Sequence, residues 1–231
     1  MYTLQGTRLL EENFTVILNL LEGIEDKYEK QHAFDALIYS IKGTSLVEEN
    51  FTAILNILDK IDDNELKRSS FYTLTPIIGK TPLLEEKFTD IFNLLDKFST
   101  RDKISAFSDI INTIRVSSLQ VEEKLTKYSL IGTKFPTILN TLVKLDDDID
   151  KRRALCNLMF SIKGTHLLED NFSAILNTID TIADETHKRV SLSYVVSAIK
   201  GKKLFREKMI LIKERFPQYA KELEEMLKKN L

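Results

Sequence analysis

Several things are scarce in this chain of 231 residues. It has one cysteine, Cys156, so no intrachain disulfide can form, and a single thiol fits a reducing compartment. Seven glycines and four prolines are too few for the frequent tight turns of an all-β sandwich or barrel. Neither charge sign is in excess: 33 basic residues stand against 35 acidic ones, a formal net charge of -2, whereas a dedicated nucleic-acid binder shows a basic surplus. No run approaches the roughly 18 apolar residues that span a bilayer, and no basic-then-apolar leader opens the chain. A soluble, cytoplasmic protein is expected. What is plentiful is helix-compatible: 43% hydrophobic residues are enough for a core, and 29% are charged.

The dominant feature is internal repetition. Phe14, Phe51 and Phe88 are spaced by 37 residues, and so are Phe135 and Phe172. Each Phe is followed by the same frame: Ile17-Leu18-Asn19, Ile54-Leu55-Asn56, Ile91-Phe92-Asn93, Ile138-Leu139-Asn140 and Ile175-Leu176-Asn177. Isoleucines close four copies in register, at Ile41, Ile78, Ile162 and Ile199. Repeats are therefore drawn at about 6–42, 43–79, 80–116, 117–163 and 164–200, with a C-terminal cap over 201–231.

Within a copy the period is helical. Val47, Phe51, Ile54, Leu55, Leu58 and Ile61 follow the 3-and-4 spacing of one helix face, which predicts a helix A. The polar Asp62-Asp63-Asn64 precedes a second run, Phe71, Leu74, Ile77 and Ile78, which predicts a helix B. Gly43 suits the left-handed residue that ends the preceding helix. Ser45 with Glu48 reads as a capping box, and Thr81-Pro82 as a cap followed by proline at the first helical position. The acidic pairs Glu11-Glu12, Glu48-Glu49, Glu85-Glu86 and Glu169-Asp170 complement helix dipoles, each by about 0.3–1 kcal/mol. Pro76 lies inside a helix B and is expected to kink it.

Two helices per 37 residues that cannot bury their apolar faces alone point to an all-α fold, an α-solenoid of about five to six two-helix repeats in one right-handed stack. In its length and in the small-large pattern of helix B, as at Ala33-Phe34 and Ala154-Leu155, the frame resembles the tetratricopeptide and HEAT classes of helical-hairpin repeats. The Trp, Gly and Tyr positions of a standard tetratricopeptide unit are absent. The resemblance implies a binding scaffold, with no particular partner.

The array is interrupted between Phe88 and Phe135, which are 47 residues apart. The inserted stretch, Leu125 to Lys134, carries Lys127, Tyr128 and Lys134, with Lys124 just ahead. It is expected either to modify a binding surface or only to change curvature. Gly132 and Pro136 predict a break in helix A there. At the ends, the chain enters the frame directly at Gly6, and Phe216, Tyr219, Leu223, Met226 and Leu227 form the inner face of a polar capping helix.

No catalytic constellation is visible. His32, His166 and His187 occupy different repeat positions and share no ligand spacing with Cys156, so neither a metal nor a Cys-His pair is expected, nor any cofactor. Gly79-Lys80-Thr81 is this repeat's version of the Lys-Gly-Thr punctuation, not a phosphate loop. Two polar ladders recur instead. Asn19, Asn56, Asn93, Asn140 and Asn177 lie about 140° around the helix from each Phe, away from the core stripe, where helices disfavour Asn. Such amides either bond the backbone of an extended peptide or fix the stacking register. The second ladder is basic: Lys67, Arg68, Lys151, Arg152, Arg153, Lys188 and Arg189 near the starts of B helices. It serves either ion pairs with nearby acids or contacts to phosphates. The expected function is a non-enzymatic scaffold that binds a peptide or helix along a repeat-built surface. The alternative is a HEAT-like nucleic-acid-binding module using the basic edge.

Overall fold

A computed structural model describes residues 8–200 and 205–229; the expectations for Gly6, for Gly201 and for the side chains of Met226 and Leu227 lie outside what is described. The described chain is all-α, without strands. It divides into two compact units, 1–127 and 128–231.

The first unit contains α1 (Arg8–Glu22), α2 (Lys27–Ile41), α3 (Leu46–Glu49), α4 (Phe51–Asp59), α5 (Asn64–Ile78), α6 (Leu83–Glu86), α7 (Phe88–Leu95) and α8 (Thr100–Val116). Helix α9 (Val121–Gly132) begins in this unit and ends in the second. The second unit continues with α10 (Phe135–Val143), α11 (Asp148–Ile162), α12 (His166–Asp170) and α13 (Phe172–Asp180). It closes with α14 (Glu185–Ile199), α15 (Phe205–Arg215) and α16 (Ala220–Lys229). Like packs on like within each unit: α1 on α4 and α4 on α7, α2 on α5 and α5 on α8, then α10 on α13 and α11 on α14. Phe14, Phe51, Phe135 and Phe172 are all buried. Phe88 is half-buried, and its ring lies 4.5 Å from that of Phe92.

Helix A differs from expectation: it is two pieces, not one, in most copies. The backbone leaves helical geometry at Asn50 (φ -113°), Lys87 (φ -116°) and Asn171 (φ -109°), immediately before the repeated Phe. The bend lets Leu46 and Val47 turn inward beside Phe51, so that all three are buried. A straight helix carries one apolar stripe and would leave part of that surface in water. Asn50 and Asn171 follow the bend by donating their amides to the carbonyls of Leu46 and Leu167, each at 3.0 Å. The insertion lengthens the first piece: α9 has twelve residues where α3 and α6 have four.

The expected capping box at Ser45 is absent, because Ser45 is itself in right-handed helical conformation and makes no capping bond. The threonine of the punctuation serves the preceding helix instead. Thr44, Thr81 and Thr165 donate their hydroxyls to the carbonyls of Ile41, Ile77 and Ile162 at 2.7, 2.9 and 2.8 Å, satisfying C-terminal acceptors left open by the helix. Pro82 precedes the first helical residue, Leu83. Gly43 and Gly164 take the expected left-handed conformation, with φ of 85° and 87°. Gly79 does not; a Cβ there would meet Thr113 Cγ2 at 2.5 Å, so its role is close approach of α5 to α8.

Helix α5 continues through Pro76. Proline removes the donor that would bond the Tyr72 carbonyl, and the Thr75 hydroxyl supplies a replacement at 2.9 Å. The B helices start on side-chain caps: Asp26, Asp63 and Asp147 each accept from two backbone amides, and Ser99 and Asp184 from one. The acids ahead of helix B thus act first on their own helix. In the C-terminal segment Met209, Phe216, Tyr219 and Leu223 are buried, and the Tyr219 hydroxyl bonds the Glu185 carboxylate. Burial, followed by that bond, pushes Tyr219 up to about 12.

Candidate functional site

The repeat places its five asparagines on one exposed side of the A helices. Asn19, Asn56, Asn93, Asn140 and Asn177 are all exposed, as are their neighbours Thr15, Thr52, Thr89 and Ser173. None of the five amides has a hydrogen-bond partner among the described residues. Their position follows from the frame: the Phe and the Ile-Leu pair anchor the helix inward, which turns the residue five places on toward solvent.

Between α4 and α7 this surface becomes a cleft of about 170 Å³. Thr52, Asn56 and Asp59 line one wall, and Asp90, Asn93 and Lys97 the other. The rim is tied by an ion pair of 2.5 Å between Lys97 and Asp59. Asp90 is exposed, forms no ion pair among the described residues, and stands beside the two amides. The cleft therefore offers two amides able to donate and accept, one hydroxyl, and one carboxylate whose charge is not answered among the described residues. The repeat reading passes over Asp90 because its position does not recur; the equivalents are Val16, Ala53, Thr137 and Ala174.

The Lys97–Asp59 contact belongs to a series. Lys60 pairs in the same way with Glu22, one repeat earlier. In the fourth repeat the acid position is Val143, and in the fifth the cation position is Thr181, so both halves are lost together. Asp180 instead pairs with Arg215.

Six of the seven residues of the basic ladder have their charges answered locally. Lys67 is buried and lies 3.7 Å from Asp59. Arg68 pairs with Asp109 at 2.7 Å, Lys151 with Asp148 at 3.3 Å, Arg153 with Asp150 at 4.0 Å, Lys188 with Glu185 at 3.5 Å and Arg189 with Glu222 at 3.2 Å. Arg152 is the exception: it is half-buried, and its enclosed Nε has no hydrogen-bond partner among the described residues. Burial raises Asp109 above the usual carboxylate range, and the Arg68 charge pulls against that rise. Asp148 is held low, chiefly by the backbone amide of Asp184 at 2.8 Å, with further help from Lys151 and from the amide of Ala183. Asp35 is raised by burial; the Gln31 side-chain amide, which donates to its carboxylate at 2.7 Å, opposes the rise.

The insertion behaves unlike the surface segment expected of it. Lys127 and Tyr128 are buried. The Lys127 ammonium donates to the carbonyls of Thr81 at 2.5 Å and Gly79 at 3.3 Å, and lies 3.9 Å from Glu85. It thus occupies the C-terminal end of α5, where a helix favours a cation. Burial lowers its pKa, against the pull of Glu85 and Glu123. Lys124 donates to the Arg115 carbonyl at 3.3 Å, and Lys134 is half-buried at the bend before Phe135. Tyr128 packs edge-on against His166, with ring centres 6.0 Å apart. Lys127 also lines a cleft of about 330 Å³ together with Thr81, Glu85, Glu86, Glu123 and Thr126.

Among the described residues no group of three or more His, Cys, Asp or Glu side chains is placed to hold a metal ion, and no helix is long and apolar enough to cross a membrane. Comparison with protein-family models, with curated proteins and with solved structures gives no match.

Proposed function

We propose that this chain is a non-catalytic, cytoplasmic protein-interaction module of the α-solenoid kind, which takes an extended peptide along the exposed side of its A helices. The observation that carries the reading is the cleft between α4 and α7, where the exposed Asn56 and Asn93 amides have no partner among the described residues and flank Asp90. An extended backbone presents N–H and C=O groups in alternation, and a carboxamide can engage both. Asp90 adds a preference for a basic side chain at one position of the peptide. The nucleic-acid alternative draws no comparable support, because six of the seven cations near the starts of the B helices already face carboxylates.

The test is panning of a displayed random-peptide library against the immobilised full chain, followed by fluorescence anisotropy with the enriched peptides. Enriched peptides are expected to carry Lys or Arg. N56A/N93A is expected to weaken them by about tenfold or more, at roughly 1 kcal/mol per amide, with no fall in melting temperature. Absence of enrichment, or equal binding by the double variant, would remove the proposal.

A further inference from the structure

Arg152 is the one member of the basic ladder that no carboxylate answers among the described residues, and the chain itself shows what such an arginine takes. Arg68 stands five places after its helix cap, Asp63, and Arg152 stands five places after its own, Asp147. Arg68 reaches across to the next B helix and pairs at 2.7 Å with Asp109, ten places after the cap Ser99. Ten places after the cap Asp184, on the B helix that packs against α11, the residue is Tyr194. The acid is thus missing from the position where its counterpart serves Arg68. No neighbour compensates. Asp148, one turn before Arg152, is committed to the amides of Ala183 and Asp184 and to Lys151, while Asp150 faces Arg153. An enclosed guanidinium Nε without a partner costs free energy until an acceptor reaches it.

Tyr194 fills the place of the acid without supplying its charge. Contact with Cys156 raises its pKa, so the phenol is neutral, and the Arg152 charge works against that rise from the same side. Apolar surface adjoins the arginine: Tyr194 is 37% exposed and Phe160 is 64% exposed. Arg152, Cys156 and Phe160 follow one another at four-residue intervals along one face of α11. We infer that Arg152 is a docking point for a carboxylate of a partner protein, an Asp or Glu side chain on a segment that also sets an apolar residue against Phe160. The eight residues from Arg152 to Phe160 span about 12 Å of helix, which an extended chain covers in roughly three or four residues, and that is the spacing expected between the acid and the apolar side chain. A carboxylate is favoured over a phosphate because a carboxylate is what Arg68 holds in the corresponding place. The site is built by α11 and α14 of the second unit and does not depend on the amide cleft of the first.

The test is an NMR titration of the isotope-labelled full chain with the acetylated, amidated tetrapeptide Glu-Ala-Ala-Leu, followed at the arginine Nε–H and backbone amide resonances. The Arg152 signal is expected to move and saturate, and the Gln-Ala-Ala-Leu peptide to bind about tenfold more weakly, since a charged acceptor outweighs a neutral one. R152Q is expected to abolish the response at α11 and α14. So is Y194D, which keeps Arg152 but places an acid at the position that Asp109 holds for Arg68. An Arg152 signal that the Glu peptide leaves unmoved, or that both peptides move alike, overturns the inference, as does undiminished binding by Y194D. A stronger response to inorganic phosphate than to the Glu peptide also overturns it and assigns the arginine to phosphate groups. Should R152Q fail to fold, Y194D gives the same readout, because the side chain at that position is exposed.

Discussion

The two polar ladders recur at the same period, yet they do opposite things. The basic ladder at the B helices is, apart from Arg152, answered within the chain: Arg68 by Asp109, Lys151 by Asp148, Arg189 by Glu222. The amide ladder on the A helices is answered by nothing among the described residues. Recurrence alone therefore does not mark a binding surface, because a group that every copy needs for stacking recurs as faithfully as one that every copy presents to a partner. What distinguishes them is whether the hydrogen-bonding capacity is already used.

Breaking the answered ladder should have the largest effect. R68A leaves the Asp109 carboxylate enclosed without its cation and should cost about 1–3 kcal/mol at neutral pH, measured by denaturant unfolding. Asp109 already sits above its ordinary pKa because of burial, and loss of Arg68 raises it further. The deficit should therefore shrink as pH falls through that raised value and the carboxyl becomes neutral, and D109N should restore part of the loss. Next, D148A removes the acceptor for the amides of Ala183 and Asp184 and should cost about 1–2 kcal/mol. Asp148 is held below the usual carboxylate range, so its contribution is complete above the unfolded pKa and disappears as pH falls through the lower folded value. Loss of the wild-type advantage over D148A in acid, by thermal melts across pH, checks the sign. Asp35 should show the reverse at smaller amplitude. Its pKa is raised, so its charge opposes folding at neutral pH, and D35N should gain up to about 1 kcal/mol there and nothing in strong acid. The smallest change belongs to the unanswered ladder: N56A/N93A should alter stability by only a few tenths of a kcal/mol per site, and upward, because Ala is the better helix former.

The helical frame, its period and the inward Phe positions could be read from the sequence because burial of one helix face imposes a spacing. The exposure of the five asparagines could be read for the same reason. The bend before each Phe could not: the 3-and-4 pattern runs through Asn50 without a missed step, and Lys87 makes the same bend with no amide to signal it. Thr44 and Thr81 were legible as punctuation, but composition does not say which of two abutting helices a hydroxyl serves. The burial of Lys127 had no local signal, since its acceptors are the carbonyls of Gly79 and Thr81, more than forty residues away. Asp90 was invisible for the opposite reason, as the one acid at a position that does not recur.

The ion pairs that run from one repeat to the one before it also bear on modularity. Each of Lys60 and Lys97 reaches back to the acid of the preceding copy, while the copy that holds Lys97 has Lys103 for its own Asp96. A repeat is therefore not a free building block. It carries half of one contract with its predecessor and half of another with its successor, and Val143 followed by Thr181 is a place where both parties have dropped the clause. Shuffled chains would be sorted by this grammar. Setting the fifth repeat behind the first would confront Glu22 with a threonine, whereas duplicating the second in place would meet every demand, so that copy is the unit from which a longer array of this type should be built.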